Sequence, residues 1–203
     1  GLLFLMRPFC IGLFLLASTA AAIAAEPSAD EIGSVQVYLT PDEARDKAFP
    51  QAVRFDTQVL AVPKHLLEAP TDRGIRSFAD DSVAVYIARD STNSAIGYAV
   101  IGEEIGKYRP ITFLVAVDLQ MRVSSVAILV YRESRGAEVR RQRFLRQYHG
   151  KDGTDPIRIN RDIINITGAT LSVRALNAGV RKSLLLLEAV LDRPIKVTTS
   201  PEP

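Results

Sequence analysis

Four apolar runs follow one another in the middle of the chain: VAVYIAR at 83–89, AIGYAVIGE at 95–103, ITFLVAVD at 111–118 and VSSVAILVYR at 123–132. The pieces between them, 90–94, 106–110 and 118–122, are short and turn-like. Connections of that length favour antiparallel neighbours over crossovers. Two helical stretches follow. Residues 138–147 are short and arginine-rich. Residues 171–191 are long and amphipathic, with Val173, Leu176, Val180, Leu184, Leu187 and Leu191 at i+3/i+4 spacing. Strands first and helices after predict an α+β fold, an antiparallel sheet with helices packed on one side.

Upstream of the strands, Thr40-Pro41-Asp42-Glu43 is a helix start. Thr40 is the expected N-cap, Pro41 suits the first helical position, and two carboxylates sit in the first turn. This helix ends near Phe49-Pro50, and 51–62 reads as extended. Residues 26–33 are polar and read as a linker. Before them, Arg7 precedes an 18-residue uncharged run, PFCIGLFLLASTAAAIAA at 8–25. A basic flank, an apolar run and an alanine-rich end read as a secretory signal, cleaved after Ala24 or Ala25, or as a retained membrane anchor. Cys10 lies inside the run rather than after it, which excludes a lipoprotein signal. The natural start is expected at Met6. Both readings put the body of the chain outside the cytoplasm, in the periplasm or facing it from the inner membrane. The division expected is a signal or anchor at 1–25, an extension with one helix at 26–74, the main domain at 75–192 and a tail at 193–203.

Composition narrows the chemistry. The chain of 203 residues has a formal net charge of +2, or +1 once Arg7 is removed. That balance gives no support for nucleic-acid binding. One cysteine and two histidines argue against a disulfide framework or a Cys/His metal centre. What remains is chemistry from hydroxyls, carboxylates, arginines or a bound cofactor.

The most informative stretch is Ile166-Thr167-Gly168-Ala169-Thr170-Leu171-Ser172. It reads as a helix entrance: Thr167 as cap, Gly168 allowing close backbone approach, Thr170 in the first turn, where free N–H groups and the helix dipole favour an anion. The same residues describe an ordinary capped helix with no ligand.

The Thr-Gly-Ala-Thr sequence with the Leu-Ser and helix after it resembles the flavinylation motif of FMN-binding domains. These occur in the G subunit of Rnf complexes and the C subunit of sodium-pumping NADH:quinone oxidoreductase. A second stretch, Val130-Tyr131-Arg132-Glu133-Ser134-Arg135-Gly136, resembles that family's strand ending in Glu and followed by Gly, about 35 residues before the motif. The resemblance spans roughly 82–191. It implies an FMN-binding-domain fold, FMN joined through a phosphoester to Thr170 by a dedicated flavin transferase, and a site built from Thr167, Gly168, Ala169, Thr170, Ser172, Glu133, Arg135 and Gly136, with Ser172 as the second candidate acceptor. One position departs from the family: the Asp expected three residues before Thr167 is Ile164, and the nearest acid is Asp162.

The resemblance therefore implies an exported electron-transfer flavoprotein that relays electrons to or from a membrane redox partner and has no acid–base catalyst of its own. The alternative is a flavin-free exported binding or assembly factor that keeps the fold. A third reading is a free-standing reductase with its own acceptor. Between Arg132 and Arg146 six arginines stand against Glu133 and Glu138, a local net of +4. They read as a solvated face, an anion site near the flavin phosphate through Arg135, or a docking surface for an acidic partner or anionic lipid. Of the remaining candidates, Asn165-Ile166-Thr167 is a coincidental glycosylation sequon, His149 is a helix-end residue, and Tyr108, Tyr131 and Phe144 are core aromatics by default.

Overall fold

The computed structural model describes residues 33–68, 78 and 80–191. The apolar run at 8–25, most of the linker and the tail at 193–203 lie outside the described residues. Six strands form one sheet: β1 (Gln36–Val37), β2 (Arg54–Ala61), β3 (Ser82–Arg89), β4 (Ala95–Ile105), β5 (Pro110–Val117) and β6 (Val123–Tyr131). Every pairing is antiparallel, and the order β1-β6-β5-β4-β3-β2 makes β2 to β6 a simple meander. The four apolar runs are thus the four central strands. Strand β1, which sequence reasoning left unassigned between the 26–33 linker and the helix start, pairs with the far end of β6 through Gln36–Tyr131 and Val37–Val130.

Strand β5 explains the layering. Ile111, Phe113, Val115 and Val117 face one side, Leu114 and Ala116 the other, and all are buried. A half-exposed sheet would alternate apolar and polar residues; this one is covered on both faces. The long helix, α4 (Thr170–Leu191), covers the first face with Val173, Leu176, Val180, Leu184 and Leu187. The second face is closed by helix α1 (Pro41–Ala48) through Ala44, and by Phe49 just after it. The α+β antiparallel sheet is as expected, but its helices sit on both faces rather than on one side. Helix α1 starts as the sequence predicts: Thr40 Oγ1 accepts the Glu43 N–H at 3.2 Å and Glu43 Oε2 accepts the Thr40 N–H at 2.8 Å, a reciprocal cap. A five-residue helix, α2 (Lys64–Glu68), follows β2.

The arginine-rich stretch corrects the expectation of one helix over 138–147. It is a 3₁₀ turn at Ala137–Arg140, an extended Arg141 (ψ 131°), a single turn α3 at Gln142–Leu145 and another 3₁₀ turn at Arg146–Tyr148. Val139, Phe144, Leu145 and Tyr148 must all reach the core. Five steps of a continuous helix turn a side chain about 140° out of line, so Val139 and Phe144 could not share a face without the break at Arg141.

Candidate functional site: a cleft at the start of α4

Two segments distant in sequence line one cleft of about 500 Å³. One wall is Lys107 with the turn Glu133-Ser134-Arg135, the other the start of α4 from Gly168 to Ser172. The volume lies within the range of small-molecule sites.

The first wall is braced by Glu133, which is buried at 7% exposure. Its Oε1 accepts the backbone N–H groups of Tyr108 (2.7 Å) and Arg109 (3.0 Å), tying the β4–β5 turn to the end of β6. A Cβ at Gly106 would lie 2.7 Å from the same oxygen, so the turn comes this close only as glycine. Glu133 is a brace of the cleft wall. Gly136 is tighter still. Its φ is +94°, and an added Cβ would run into the Ser172 hydroxyl and come within 2.6 Å of the Tyr131 hydroxyl.

Those two hydroxyls lock the walls together. Tyr131 donates to the Arg135 carbonyl, and its oxygen lies 2.8 Å from Ser172 Oγ. Burial pushes the Tyr131 hydroxyl up to about 12; the Ser172 hydrogen bond opposes this, while the Glu133 and Glu138 carboxylates add to it. The group therefore stays a donor across the physiological range. Ser172 is 3% exposed and engaged in this pair. Arg135, by contrast, has an exposed side chain at the cleft.

Thr170, not Thr167, opens the helix. The Val173 N–H bonds the Ala169 carbonyl at 2.9 Å, which makes Ala169 the residue at the cap position. Thr167 lies two residues further out, exposed, so the expected Thr167 cap is not formed. An alanine there offers no side-chain acceptor, and the first-turn N–H groups are left for water or an anion. Gly168 has φ +82°, and nothing lies within 4 Å of where its Cβ would be. The backbone there is open on the outside, with room for a ligand to approach. Thr170 is half-buried, and its Oγ1 accepts a hydrogen bond from Asn165 Nδ2 at 2.9 Å.

The loop before the motif is rigidly held. Gln147 grips the backbone of Ile164 from both sides: Oε1 accepts its N–H at 2.7 Å and Nε2 donates to its carbonyl at 3.3 Å. The Ile164 side chain is left 78% exposed. Asp162 is committed elsewhere. It accepts from Lys151 Nζ (2.9 Å) and from the backbone N–H groups of Ile157 (3.0 Å) and Arg158 (2.9 Å). Burial alone would raise its carboxyl, but these bonds win and hold it below the ordinary carboxylate value.

Of the eight site residues expected from the sequence, Glu133, Arg135, Gly168, Ala169, Thr170 and Ser172 line the cleft, Gly136 packs against Ser172 behind its wall, and Thr167 falls outside it. That residue lines a neighbouring groove with Arg141, Arg143, Phe144 and Gln147. Tyr131, Phe144 and Tyr148 are core aromatics, and His149 is exposed, with Nδ1 3.1 Å from the Ser124 carbonyl. Sequence reasoning missed Lys107, which looked like a turn residue, and Asn165 and Gln147, whose partners are five and 17 residues away in the chain. A separate groove of about 340 Å³ lies between β3–β4 and the second half of α4. Its lysine, Lys182, is paired with Glu104 at 3.4 Å and sits over Phe78, and no residue of the motif reaches it.

Residues 106–185 match the family model of the FMN-binding domain. Both walls of the cleft fall inside that stretch. Among solved structures, the chain is similar to the crystal structure of Shewanella oneidensis NqrC, with 15% identity over 70% of this chain and 82% of that one and a TM-score of 0.47. No curated protein matches the sequence.

Proposed function

We propose that this chain is an exported flavoprotein that carries FMN on Thr170 through a phosphoester and relays electrons to or from a redox partner in the membrane. The observation that carries this reading is the cleft: a threonine hydroxyl at a helix start with no side-chain cap, faced by Lys107 and Arg135, within a stretch that matches the FMN-binding domain. A phosphoester keeps a negative charge. The first-turn N–H groups of α4 and the two cations suit it, and Gly168 leaves space beside it.

When bound, the flavin supplies the redox chemistry. The chain's residues bind and orient. Glu133 fixes the turn that forms one wall, and Tyr131 and Ser172 hold that wall against α4. Ser172 serves as this brace, so Thr170 is the acceptor. Maturation requires a flavin transferase. Export follows from Arg7 and the apolar run at 8–25, which also supplies membrane association where it is retained.

The test is peptide mass mapping of the full chain co-expressed with a flavin transferase. An FMN adduct on Thr170 is expected, lost in Thr170→Ala, kept in part in Thr170→Ser and still on Thr170 in Ser172→Ala, at lower occupancy once the brace to Tyr131 is gone. A folded wild-type protein without the adduct would instead favour the flavin-free binding factor. Ile164, standing where the family carries Asp, is the observation behind that second reading. Its side chain is exposed, so Ile164→Asp is tolerated by the fold. An adduct gained only in Ile164→Asp would mark the natural chain as a poor acceptor.

A further inference from the structure

We infer that Asn165 is a positioning residue for the Thr170 hydroxyl, fixing the rotamer in which that oxygen accepts a flavin phosphoryl group. The inference rests on the reading of Thr170 as the acceptor and adds a residue that neither the motif nor the family match assigns.

Three observations carry it. First, Asn165 Nδ2 reaches Thr170 Oγ1 at 2.9 Å from the loop, not from the helix that Thr170 begins. The amide donates to a lone pair of the oxygen, so the hydroxyl hydrogen is left to point elsewhere. Second, the amide is spent on this contact at a loss: Asn165 Oδ1 is buried and has no hydrogen-bond partner among the described residues. Buried polar atoms are seldom left so, and exceptions gather at functional sites. Third, the position of Asn165 is set from outside the motif. Gln147 holds both polar groups of the preceding residue, Ile164. A chain of contacts therefore runs from the arginine-rich segment through Gln147 and the loop to the oxygen of Thr170.

In the transfer, Thr170 Oγ1 forms a bond to the flavin-side phosphorus of a flavin dinucleotide. The pyrophosphate P–O bond breaks and a nucleoside monophosphate leaves. The Thr170 proton passes to a base on the transferase. A threonine that rotates freely about χ1 presents its oxygen for in-line attack only part of the time, and orientation enters the rate directly. With the Asn165 bond made, the lone pair and the proton have separate, fixed directions.

The experiment uses the full chain, a purified flavin transferase and the flavin dinucleotide, with adduct read by mass at Thr170. Asn165→Ala should lower kcat by about tenfold, one hydrogen bond's worth, with KM for the acceptor chain within about twofold of wild type. Asn165→Asp keeps the shape but offers only acceptor oxygens, which draw the Thr170 proton inward, so it should be slow as well. Gln147→Ala should give a smaller fall in kcat. A merely structural asparagine would instead raise KM and lower the melting temperature. If Asn165→Ala fails to fold, the near-isosteric Asp variant decides alone. Wild-type kcat in a folded Asn165→Ala or Asn165→Asp protein would overturn the inference and leave the Thr170 assignment standing. No adduct on Thr170 in the wild-type chain would overturn both.

Discussion

Gly136 shows how little freedom single residues have at this cleft. Its positive φ and the two hydroxyls around it act against any side chain, so Gly136→Ala should destabilise by about 1–3 kcal/mol from backbone strain alone. Because the displaced groups are Tyr131 and Ser172, the same change should open the cleft. Denaturant melts, together with the occupancy of the proposed Thr170 adduct, check this; a neutral Gly136→Ala would mean that the turn can relax. Asp162 has a pH signature. Its carboxyl is held below the ordinary value, so it stabilises the native state above about pH 4. That contribution is lost as pH falls through the lowered native value. Asp162→Asn should therefore cost about 1.5–3 kcal/mol at neutral pH, through lost charge-assisted bonds. The gap from wild type should close in acid. Urea titrations of both proteins between neutral pH and the acid limit of folding measure it; a gap that stays constant would sink the account.

Among the elements, α4 matters most, because its first turn forms the site and its body covers the sheet. It approaches β5 closely where Gly179 meets the Phe113 ring; a Cβ on Gly179 would lie 2.7 Å from Phe113 Cε1, with the ring tip nearer still. Gly179→Ala gains about 1 kcal/mol of helix propensity. Against this stands overpacking of about 1–3 kcal/mol, since Phe113 is itself buried and has nowhere to go. A net loss is expected, partly recovered in the Gly179→Ala/Phe113→Leu double variant. Thermal melts of the four proteins give the coupling, and additive effects would show that helix and strand are not in the contact described. At the other face, Thr40→Ala should cost about 1 kcal/mol through the cap of α1 and leave the proposed Thr170 adduct untouched, because the sheet lies between them.

At the scale of the whole molecule, the path of the chain into the domain constrains where the cleft lies. Gly33, at φ +69°, packs against the site's own turn: a Cβ there would sit 2.6 Å from the Glu133 carbonyl carbon. The apolar run ends at Ala25, eight residues earlier. Eight residues reach at most about 26–29 Å when fully extended. With the run retained in a bilayer, the cleft wall would be held within about 30 Å of the membrane surface, within reach of the membrane redox partner proposed above. A spin label at Ser134→Cys in the reconstituted full chain, with Cys10 replaced, should fall within that reach of headgroup-bound relaxation agents. A larger distance would require the Gly33 contact to be broken.

The local features were legible because local chemistry decides them. Continuous apolar runs with short turns between them favour an antiparallel meander by themselves, and Thr40-Pro41-Asp42-Glu43 specifies a helix start because the capping groups lie three residues apart. The likeness of Thr167-Gly168-Ala169-Thr170 to a known motif pointed to one side of the cleft, and the Glu133 to Gly136 turn to the other. Tertiary structure decided what depends on distant partners. The core chose the break at Arg141, since Val139 and Phe144 are out of phase on a continuous helix. Covering both faces of β5 placed α1 opposite α4, which no periodicity in α1 itself specifies. The cap sits at Ala169 rather than Thr167 because residues 166–169 first close a turn of their own, with the Ala169 N–H on the Ile166 carbonyl and Gly168 left-handed. Ser172 became a brace of the cleft because folding buries it against Tyr131, a partner 41 residues away in sequence.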